Sequence, residues 1–299
     1  MLLRRLFMRS IWLALVVALF ALITGCDVGA PPVPPTATPT EAPPPTNTPI
    51  PLPTDTPRPP ETPTPVPIPV SERKYVPILC YHHIREWRKS DVGDDRAYIV
   101  PPDIFEEQLQ YLKKEGYQSV TSEQVYQYYA NGRPLPDKPI MLSFDDNDDN
   151  QYTTAVPLLK KYGFNATFFI MTVTIDKENY MTSEQLKDLA KQGYDIQAHT
   201  WDHHMVTKYE TEEDWQLQIV QPKKELEELL GQPVDFFAYP FGIYNAEAAE
   251  KVKSYGYKAA FRLSEVMDED ADPVFAIKRY IANPYFTQAQ FEAVLAGDW

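Results

Sequence analysis

Cysteine and basic residues are scarce in this sequence. Only Cys26 and Cys80 occur in 299 residues, which excludes a disulfide scaffold and a zinc site made of four cysteines. Lys and Arg number 28 against 42 Asp and Glu, so the formal net charge is -14. Residues 1–70 carry four charges of each sign, so the acidic excess lies in residues 71–299. A domain this acidic repels phosphate backbones, which argues against a nucleic-acid partner. No protein partner can be inferred from the sequence.

Long hydrophobic runs are absent except at the N-terminus. Residues 11–23 are apolar and follow Arg4, Arg5 and Arg9; this run is short for a bilayer span but suits a secretory signal. It ends in Thr24-Gly25-Cys26, which resembles a bacterial lipoprotein signal. We therefore expect removal of residues 1–25 and export, with lipidated Cys26 on the outer face of the cytoplasmic membrane or cell surface. An uncleaved N-terminal anchor is the alternative.

Residues 26–70 are predicted to be a disordered tether that begins at the lipidated cysteine. Residues 31–70 contain 18 Pro and nine Thr but no Gly, and they show no apolar periodicity. Such a segment has nothing to bury and stays extended. At about 3.1 Å per residue, polyproline geometry would let it reach roughly 120 Å.

Residues 71–299 alternate between strand-like and helix-like segments, which predicts one α/β domain built on a parallel sheet or barrel. The predicted strands are residues 76–81, 140–144, 166–171, 195–198, 236–239, 258–261 and 275–281. The predicted helices are residues 105–112, 155–162, 184–191, 215–230 with a kink or break at Pro222, 247–255 and 288–295. Ligands of such folds bind at the carboxyl ends of the strands.

Two polar clusters follow predicted strands and suggest a metal site. Asp145 and Asp146 end one strand; alone, such a pair is typical of a solvated turn or helix cap. His199 and His203 follow another strand four residues apart, a spacing that brings two imidazoles to one ion if they share a helical turn. Together with Asp146 they would form three ligands and leave positions open, as in catalytic rather than structural sites.

Two further clusters lie at strand ends. Tyr239-Pro240-Phe241-Gly242 forms a turn in which a backbone N–H can point outward and stabilise an oxyanion. Tyr81-His82-His83 ends the first strand, where a histidine could serve as a general acid or be only a hydrogen-bonded structural residue.

In this order the clusters resemble the polysaccharide deacetylase family, carbohydrate esterase family four, over about residues 74–285. The resemblance rests on five segments: the VPILCYHH strand at 76–83, SFDD at 143–146, LLKKYGFNATFFI at 158–170, HTWDH at 199–203 and YPFG at 239–242. It implies a distorted, incomplete (β/α) barrel. The early Tyr-His motif is similar to that of the branch acting on poly-β-1,6-N-acetylglucosamine.

The resemblance also implies the chemistry. It predicts metal-dependent removal of N-acetyl groups from an N-acetylglucosamine polysaccharide: poly-β-1,6-N-acetylglucosamine, peptidoglycan or a chitin-like polymer. The divalent ion would be zinc, with iron, cobalt or nickel as alternatives. The implied roles are general base for Asp145, general acid for His82, metal ligands for Asp146, His199 and His203, and oxyanion or substrate contacts for Phe241 and Tyr239.

Three residues depart from the family pattern. Asn147 and Asp148 stand where glycine and tyrosine are common, and Ala238 stands where an arginine usually orients the base. Arg279, on the last predicted strand, is a candidate to replace that arginine. Three other functions stay open at this point: a sugar-binding protein that has lost catalysis, an esterase removing O-acetyl groups from xylan, and an iron oxygenase with a two-histidine, one-carboxylate site.

Overall fold

The computed structural model describes residues 67–263, 265 and 270–298. The predicted signal peptide, Cys26 and nearly all of the predicted tether lie outside the described residues. Within the described ranges, no helix is long and apolar enough to cross a bilayer. The last tether residues already contact the domain, because the N–H of Ile68 donates to the carbonyl of Gly132 at 2.8 Å.

Strands and helices alternate along the described chain. The strands are β1 (Ile78–Tyr81), β2 (His83–Ile84), β3 (Ile99–Val100), β4 (Gln118–Ser119), β5 (Pro139–Asp145), β6 (Thr167–Ile170), β7 (Asp195–Ala198), β8 (Phe236–Ala238), β9 (Ala259–Arg262), β10 (Ile277–Lys278) and β11 (Tyr280–Ile281). The helices are α1 (Pro102–Lys114), α2 (Ser122–Asn131), α3 (Val156–Tyr162), α4 (Ser183–Lys191), α5 (Glu212–Trp215), α6 (Gln221–Leu230), α7 (Ala246–Ser254) and α8 (Gln288–Ala296).

The main sheet is parallel and almost closes on itself. Its strand order is β10-β9-β8-β7-β6-β5-β1-β11, with β4 paired to β5. The two end strands are consecutive in the chain and are separated only by Arg279. Ile277 pairs with Phe261 of β9, whereas Tyr280 pairs with Leu79 of β1. The segment 277–281 therefore bridges the two ends of the sheet and leaves the ring open only at Arg279, which confirms the predicted distorted, incomplete (β/α) barrel.

Alternate side chains of each strand face the barrel interior and the helices. On β5, Leu142 and Phe144 belong to the larger hydrophobic cluster shared with α1, α3 and α4, whereas Met141 belongs to a second cluster with Phe169 and Phe261. This alternation follows from the two-residue period of a strand. It aims Ser143 and Asp145 into the same interior as Met141, at the carboxyl end of the barrel.

Two predicted elements differ in detail. The helix predicted to kink or break at Pro222 instead runs through it: a π-helical turn, Gln216–Val220, precedes α6, whose first turn contains the proline. Proline has no N–H to donate to the preceding turn, and the wider π-helical turn lets the helix continue without that hydrogen bond. The sequence analysis also missed α2, although Thr121 and Gln124 form a capping box at its start, and it missed the two-residue strands β2 to β4, which are too short to show a period.

Candidate active site

Asp145 ends β5 and is held by a buried arginine. Arg279 donates from Nη1 to Oδ1 at 2.6 Å and from Nη2 to Oδ2 at 2.7 Å, and both side chains are almost fully buried. Burial alone would raise the pKa of Asp145, but the Arg279 guanidinium outweighs it and holds that pKa well below its usual range. Asp145 is thus a carboxylate with a fixed orientation. Arg279 therefore contacts the predicted base, as was expected of the arginine that Ala238 replaces.

The chain turns sharply after Asp145. Successive strand residues point to opposite faces, so two neighbouring carboxylates reach one pocket only if the backbone leaves the strand conformation. Asp146 and Asn147 do so, with φ of 73° and 46°. Asn147 is fully buried, and its Oδ1 accepts from Met171 N at 3.1 Å and Thr174 Oγ1 at 2.9 Å. This residue therefore anchors the turn to the following loop, and its side chain is engaged with that loop.

Left-handed backbone conformations cluster at the site. Seven non-glycine residues of the described chain have positive φ, and five belong to the site segments: Asp146, Asn147, Thr200, His203 and Phe241. Such conformations cost of order 1–3 kcal/mol each and persist where surrounding contacts impose them. The strain is thus concentrated in the turns that aim the side chains into the pocket.

Asp146, His199 and His203 converge as the sequence analysis predicted. Their ligand atoms lie within 4.8 Å of one another, and Asp146 Oδ1 is 3.5 Å from His199 Nε2 and 3.7 Å from His203 Nε2. The predicted helical turn between the histidines is wrong: the segment after β7 is a non-helical loop in which Thr200 and His203 have φ of 68° and 69°. Thr200 Oγ1 accepts from His203 N at 2.9 Å and closes that loop.

These three residues fit a divalent cation. His199 Nδ1 lies 2.7 Å from the carbonyl of Ala238, so it donates there and leaves Nε2 with a free lone pair. His199 Nε2 and Asp146 Oδ1 are buried and have no hydrogen-bond partner among the described residues. Burial lowers the pKa of His199 to about 3 and also lowers that of His203, so both imidazoles are neutral. Burial raises the pKa of Asp146 to about 6, a cost that a bound cation would relieve.

His82 lies beside Asp145. It follows β1 directly, is largely buried, and packs its ring edge-to-face against Tyr98 at 5.0 Å between centroids. Its Nδ1 has no hydrogen-bond partner among the described residues. Burial lowers the pKa of His82. Ligand atoms of His82, Cys80 and Asp145 lie within 4.8 Å of one another, so His82 is in reach of a group bound between Asp145 and the histidine pair.

The other two histidines in the described chain have different partners. His83 Nδ1 is 3.1 Å from Asp148 Oδ2, so the imidazole of His83 lies against the Asp148 carboxylate. His204 is exposed and pairs with Asp202 at 3.0 Å. His83 lines the pocket rim, whereas His204 does not.

The turn after β8 presents Phe241 and hides Tyr239. Phe241 has φ of 59°, its ring packs 4.4 Å from that of His203, and it lines the pocket. Tyr239 is fully buried, stacks on Tyr244 and donates its hydroxyl to the carbonyl of Phe275 at 3.0 Å. This corrects the expectation that Tyr239 contacts substrate: strand alternation turns its side chain toward the helices, where it packs as a core residue.

One open pocket of about 450 Å³ contains the site. Asp145, Asp146, His199 and His203 form its floor, and its lining residues also include His82, His83, Arg85, Asp91, Asp95, Tyr98, Ile99, Phe241, Leu263 and Ile281. The sequence analysis missed Gln151, whose Nε2 donates to the carbonyls of His82 at 2.9 Å and Asp145 at 2.5 Å. It ties the ends of β1 and β5 together, and no local pattern in the sequence marks it.

Comparison with known proteins agrees with this geometry. Residues 132–260 match the polysaccharide deacetylase family. The structure of the Streptococcus pyogenes deacetylase PplD in complex with acetate superposes with a TM-score of 0.67 at 27% identity, covering 74% of this chain and 97% of PplD. The chain contains a polysaccharide deacetylase domain.

Two relatives extend the similarity beyond the matched segment. The deacetylase domain is 27% identical over 220 residues to YxkH of Bacillus subtilis, which covers 74% of this chain and 76% of YxkH. It is also 27% identical over 208 residues to the poly-beta-1,6-N-acetyl-D-glucosamine N-deacetylase of Staphylococcus aureus, covering 62% of this chain and 71% of that protein.

Proposed function

We propose that this protein is a metal-dependent hydrolase that removes N-acetyl groups from an N-acetylglucosamine-containing polysaccharide at the cell surface. The observation that carries the proposal is the convergence, in one pocket, of the unpartnered Asp146 and His199 atoms with His203, a carboxylate clamped by arginine, and a buried histidine. The similarity to a relative that acts on poly-beta-1,6-N-acetyl-D-glucosamine supports that polymer as the first substrate to test.

Asp146, His199 and His203 would hold the ion. When bound, a divalent ion supplies a Lewis acid that polarises a carbonyl and lowers the pKa of water. Asp145, kept as a carboxylate by Arg279, accepts a proton from the attacking water. The backbone N–H of Phe241 donates to the carbonyl oxygen as it gains negative charge.

His82 supplies the remaining proton. The carbon–nitrogen bond breaks only if the nitrogen leaves as an amine, because an amide anion is a very poor leaving group. His82, in its protonated form, donates to that nitrogen as the bond breaks. Acetate and a free amino sugar are the products. Removal of an acetyl group from a sugar oxygen needs this proton less, because an alkoxide is a better leaving group than an amide anion. An acetamide is therefore the substrate for which the acid, the base and the oxyanion contact are all needed.

Acetate release and metal analysis test the proposal together. The purified full-length chain, loaded with zinc, is incubated with acetylated poly-β-1,6-glucosamine, chitin oligomers, peptidoglycan and O-acetylated xylan. We expect acetate from at least one acetamido polymer, and one bound ion per chain that is lost in His199→Ala and His203→Ala but kept in His204→Ala. Acetate from xylan alone would contradict the proposed reaction, and loss of the ion in His204→Ala alone would contradict the ligand set.

We also propose that lipid on Cys26 anchors the domain to the outer face of the membrane. The basic residues, apolar run and Leu22-Ile23-Thr24-Gly25-Cys26 ending support this anchor. Cys26→Ser should prevent lipidation and shift the protein from the membrane fraction to the soluble fraction. Cys80→Ser serves as a matched control, because Cys80 is a buried residue of the barrel. Equal membrane retention of the cleaved Cys26→Ser protein would rule out the lipid anchor.

A further inference from the structure

Two exposed aromatic side chains stack on each other next to residues that line the pocket. Trp87 lies in the segment after β1 and β2, and Tyr285 follows β11. Because β1 and β11 are neighbouring parallel strands of the barrel, both side chains lie in segments that leave the same edge of the sheet. Their ring centroids are 5.7 Å apart with an angle of 19° between the planes. Trp87 is 37% exposed and Tyr285 is 56% exposed. Large aromatic surfaces left in water beside a pocket indicate a contact surface rather than core packing.

The Trp87–Tyr285 pair is held in place by polar contacts. Trp87 Nε1 donates to the carbonyl of Ile99 at 3.2 Å, and the Arg96 guanidinium lies 5.9 Å from the centre of the Trp87 ring. The N–H of Tyr285 donates to Asn283 Oδ1 at 2.8 Å, which fixes the turn that carries it. A surface that is ordered before binding loses little conformational entropy when a ligand arrives.

The loop that carries Trp87 is braced in the same way. Arg85 forms two hydrogen bonds with Asp91, at 2.7 and 3.1 Å, and Asp91 also accepts from Arg88 N at 2.6 Å. Arg85 and Asp91 line the catalytic pocket, as does Ile99. The pair is therefore continuous with the pocket through its own supporting residues.

We propose that the Trp87–Tyr285 pair binds a pyranose ring of the same polysaccharide chain, at a subsite beyond the sugar that is deacetylated. This inference rests on the proposed function. A pocket of about 450 Å³ holds only a short stretch of polymer, so the chain must continue over the rim. One face of a pyranose presents C–H groups, which pack favourably on the electron-rich face of an aromatic ring. Arg96 lies over Trp87, which makes the Tyr285 ring the natural platform for the sugar.

Chain length is the variable that tests this subsite. Acetate release by the full-length, zinc-loaded protein is measured on β-1,6-linked N-acetylglucosamine dimers and hexamers. In the parent the hexamer is the better substrate; in Tyr285→Ala the ratio of kcat/KM for hexamer over dimer falls about fivefold to tenfold, mainly through KM. Tyr285→Phe keeps the ratio because it keeps the ring. Leu217→Ala removes an exposed apolar side chain elsewhere and also keeps it.

The same variants separate this subsite from the proposed reaction. An unchanged length ratio in both Tyr285→Ala and Trp87→Ala would overturn the subsite while leaving deacetylation intact. If no protein releases acetate, the proposed reaction fails, and calorimetry with the hexamer still tests the pair: Tyr285→Ala should then bind about fivefold to tenfold more weakly than the parent. Equal hexamer affinity in parent and variant, or no binding to either, would overturn the subsite.

Discussion

Asp145 and Arg279 form a fully buried ion pair, and this pair shows how one residue can depend on another for its chemistry. The two oxygens of Asp145 accept from two nitrogens of Arg279. A bidentate contact of this kind fixes both charge and orientation. Removing one partner leaves the other charge buried without compensation, which is far more costly than removing both.

Arg279→Ala should therefore lose stability and activity together. We expect a loss of about 3–5 kcal/mol in the free energy of unfolding, measured by denaturant titration, and a fall in kcat of at least about 10²-fold through misorientation of the base. The double variant Asp145→Leu with Arg279→Met should recover stability without recovering activity. A stable and active Arg279→Ala would show that the pair is dispensable.

His82→Ala should affect substrates according to their leaving groups. An acetamido sugar needs protonation of its nitrogen, whereas an activated aryl acetate does not, so we expect a loss of about 10² to 10⁴ on the first and a much smaller loss on the second. The protonated histidine is the active form, and burial lowers its pKa. As the pH rises, the rate of the parent should therefore begin to fall at a lower pH than it would with an exposed histidine.

Asp145→Asn is the comparison for His82→Ala. Hydrolysis of either substrate needs an activated water, so this variant should lose activity on both. His83→Ala checks the assignment to the first histidine of the pair. Equal losses of His82→Ala on both substrates would remove it from the acid role. A greater amide-specific loss in His83→Ala would transfer that role to His83.

At the level of elements, the site is built from the turns that follow β5, β7 and β8. Each turn contains a non-glycine residue with positive φ, and each is held by contacts outside itself. The turn after β8 also contains a closely packed glycine, Gly242. A Cβ on Gly242 would lie 2.1 Å from Leu263 N and 2.2 Å from Leu263 Cβ, at a φ of 66°.

Gly242→Ala should destabilise the protein and displace the backbone N–H of Phe241. Gly256 offers a matched control, since its φ is 85° but a Cβ there would meet nothing within 4 Å. Gly256→Ala should cost only the left-handed conformation, about 1–2 kcal/mol, and leave kcat unchanged. Gly242→Ala should cost about 1–3 kcal/mol more from overpacking and reduce kcat. Thermal unfolding and acetate release measure both effects, and equal costs would show that the close approach to Leu263 is unimportant.

At the scale of the whole molecule, the proposed metal ligands come from the ends of β5 and β7, which are brought together only in the folded barrel, where each pairs with β6. An ion bound by such residues stabilises the native state by mass action. Zinc at 100 times its dissociation constant should add about 2.7 kcal/mol, which for a domain of this size raises Tm by roughly 5–11 °C.

This stabilisation can be read without activity. Scanning calorimetry of the chain with zinc and with a chelator should show the shift in the parent and in His204→Ala, and its absence in His199→Ala. A shift that survives in His199→Ala would place the ion elsewhere. Asp145→Asn should keep most of the shift, because three ligands remain.

The order of strands and helices follows from local properties of the sequence. Apolar runs of strand length, helical spacing of Leu and Phe, and glycine after each helix are signals carried within about ten residues, so a parallel sheet or barrel could be predicted from them. The choice of a barrel came from the family resemblance. The residue types of the site could be predicted for the same reason: Asp145, Asp146, His199 and His203 each follow a recognisable strand.

By itself, then, the sequence determined the fold class, the number of candidate ligands and the strand ends at which they stand. Only the tertiary structure decided which side chains point into the pocket and which residues hold them there. Arg279 reaches Asp145 across 134 residues of chain, His203 is aimed by a left-handed turn rather than a helix, and strand alternation buries Tyr239 while the next turn exposes Phe241. The Trp87–Tyr285 pair joins the two ends of the domain in the same way. These contacts depend on barrel formation, because residues that are distant in the chain do not interact until the sheet brings their strands side by side.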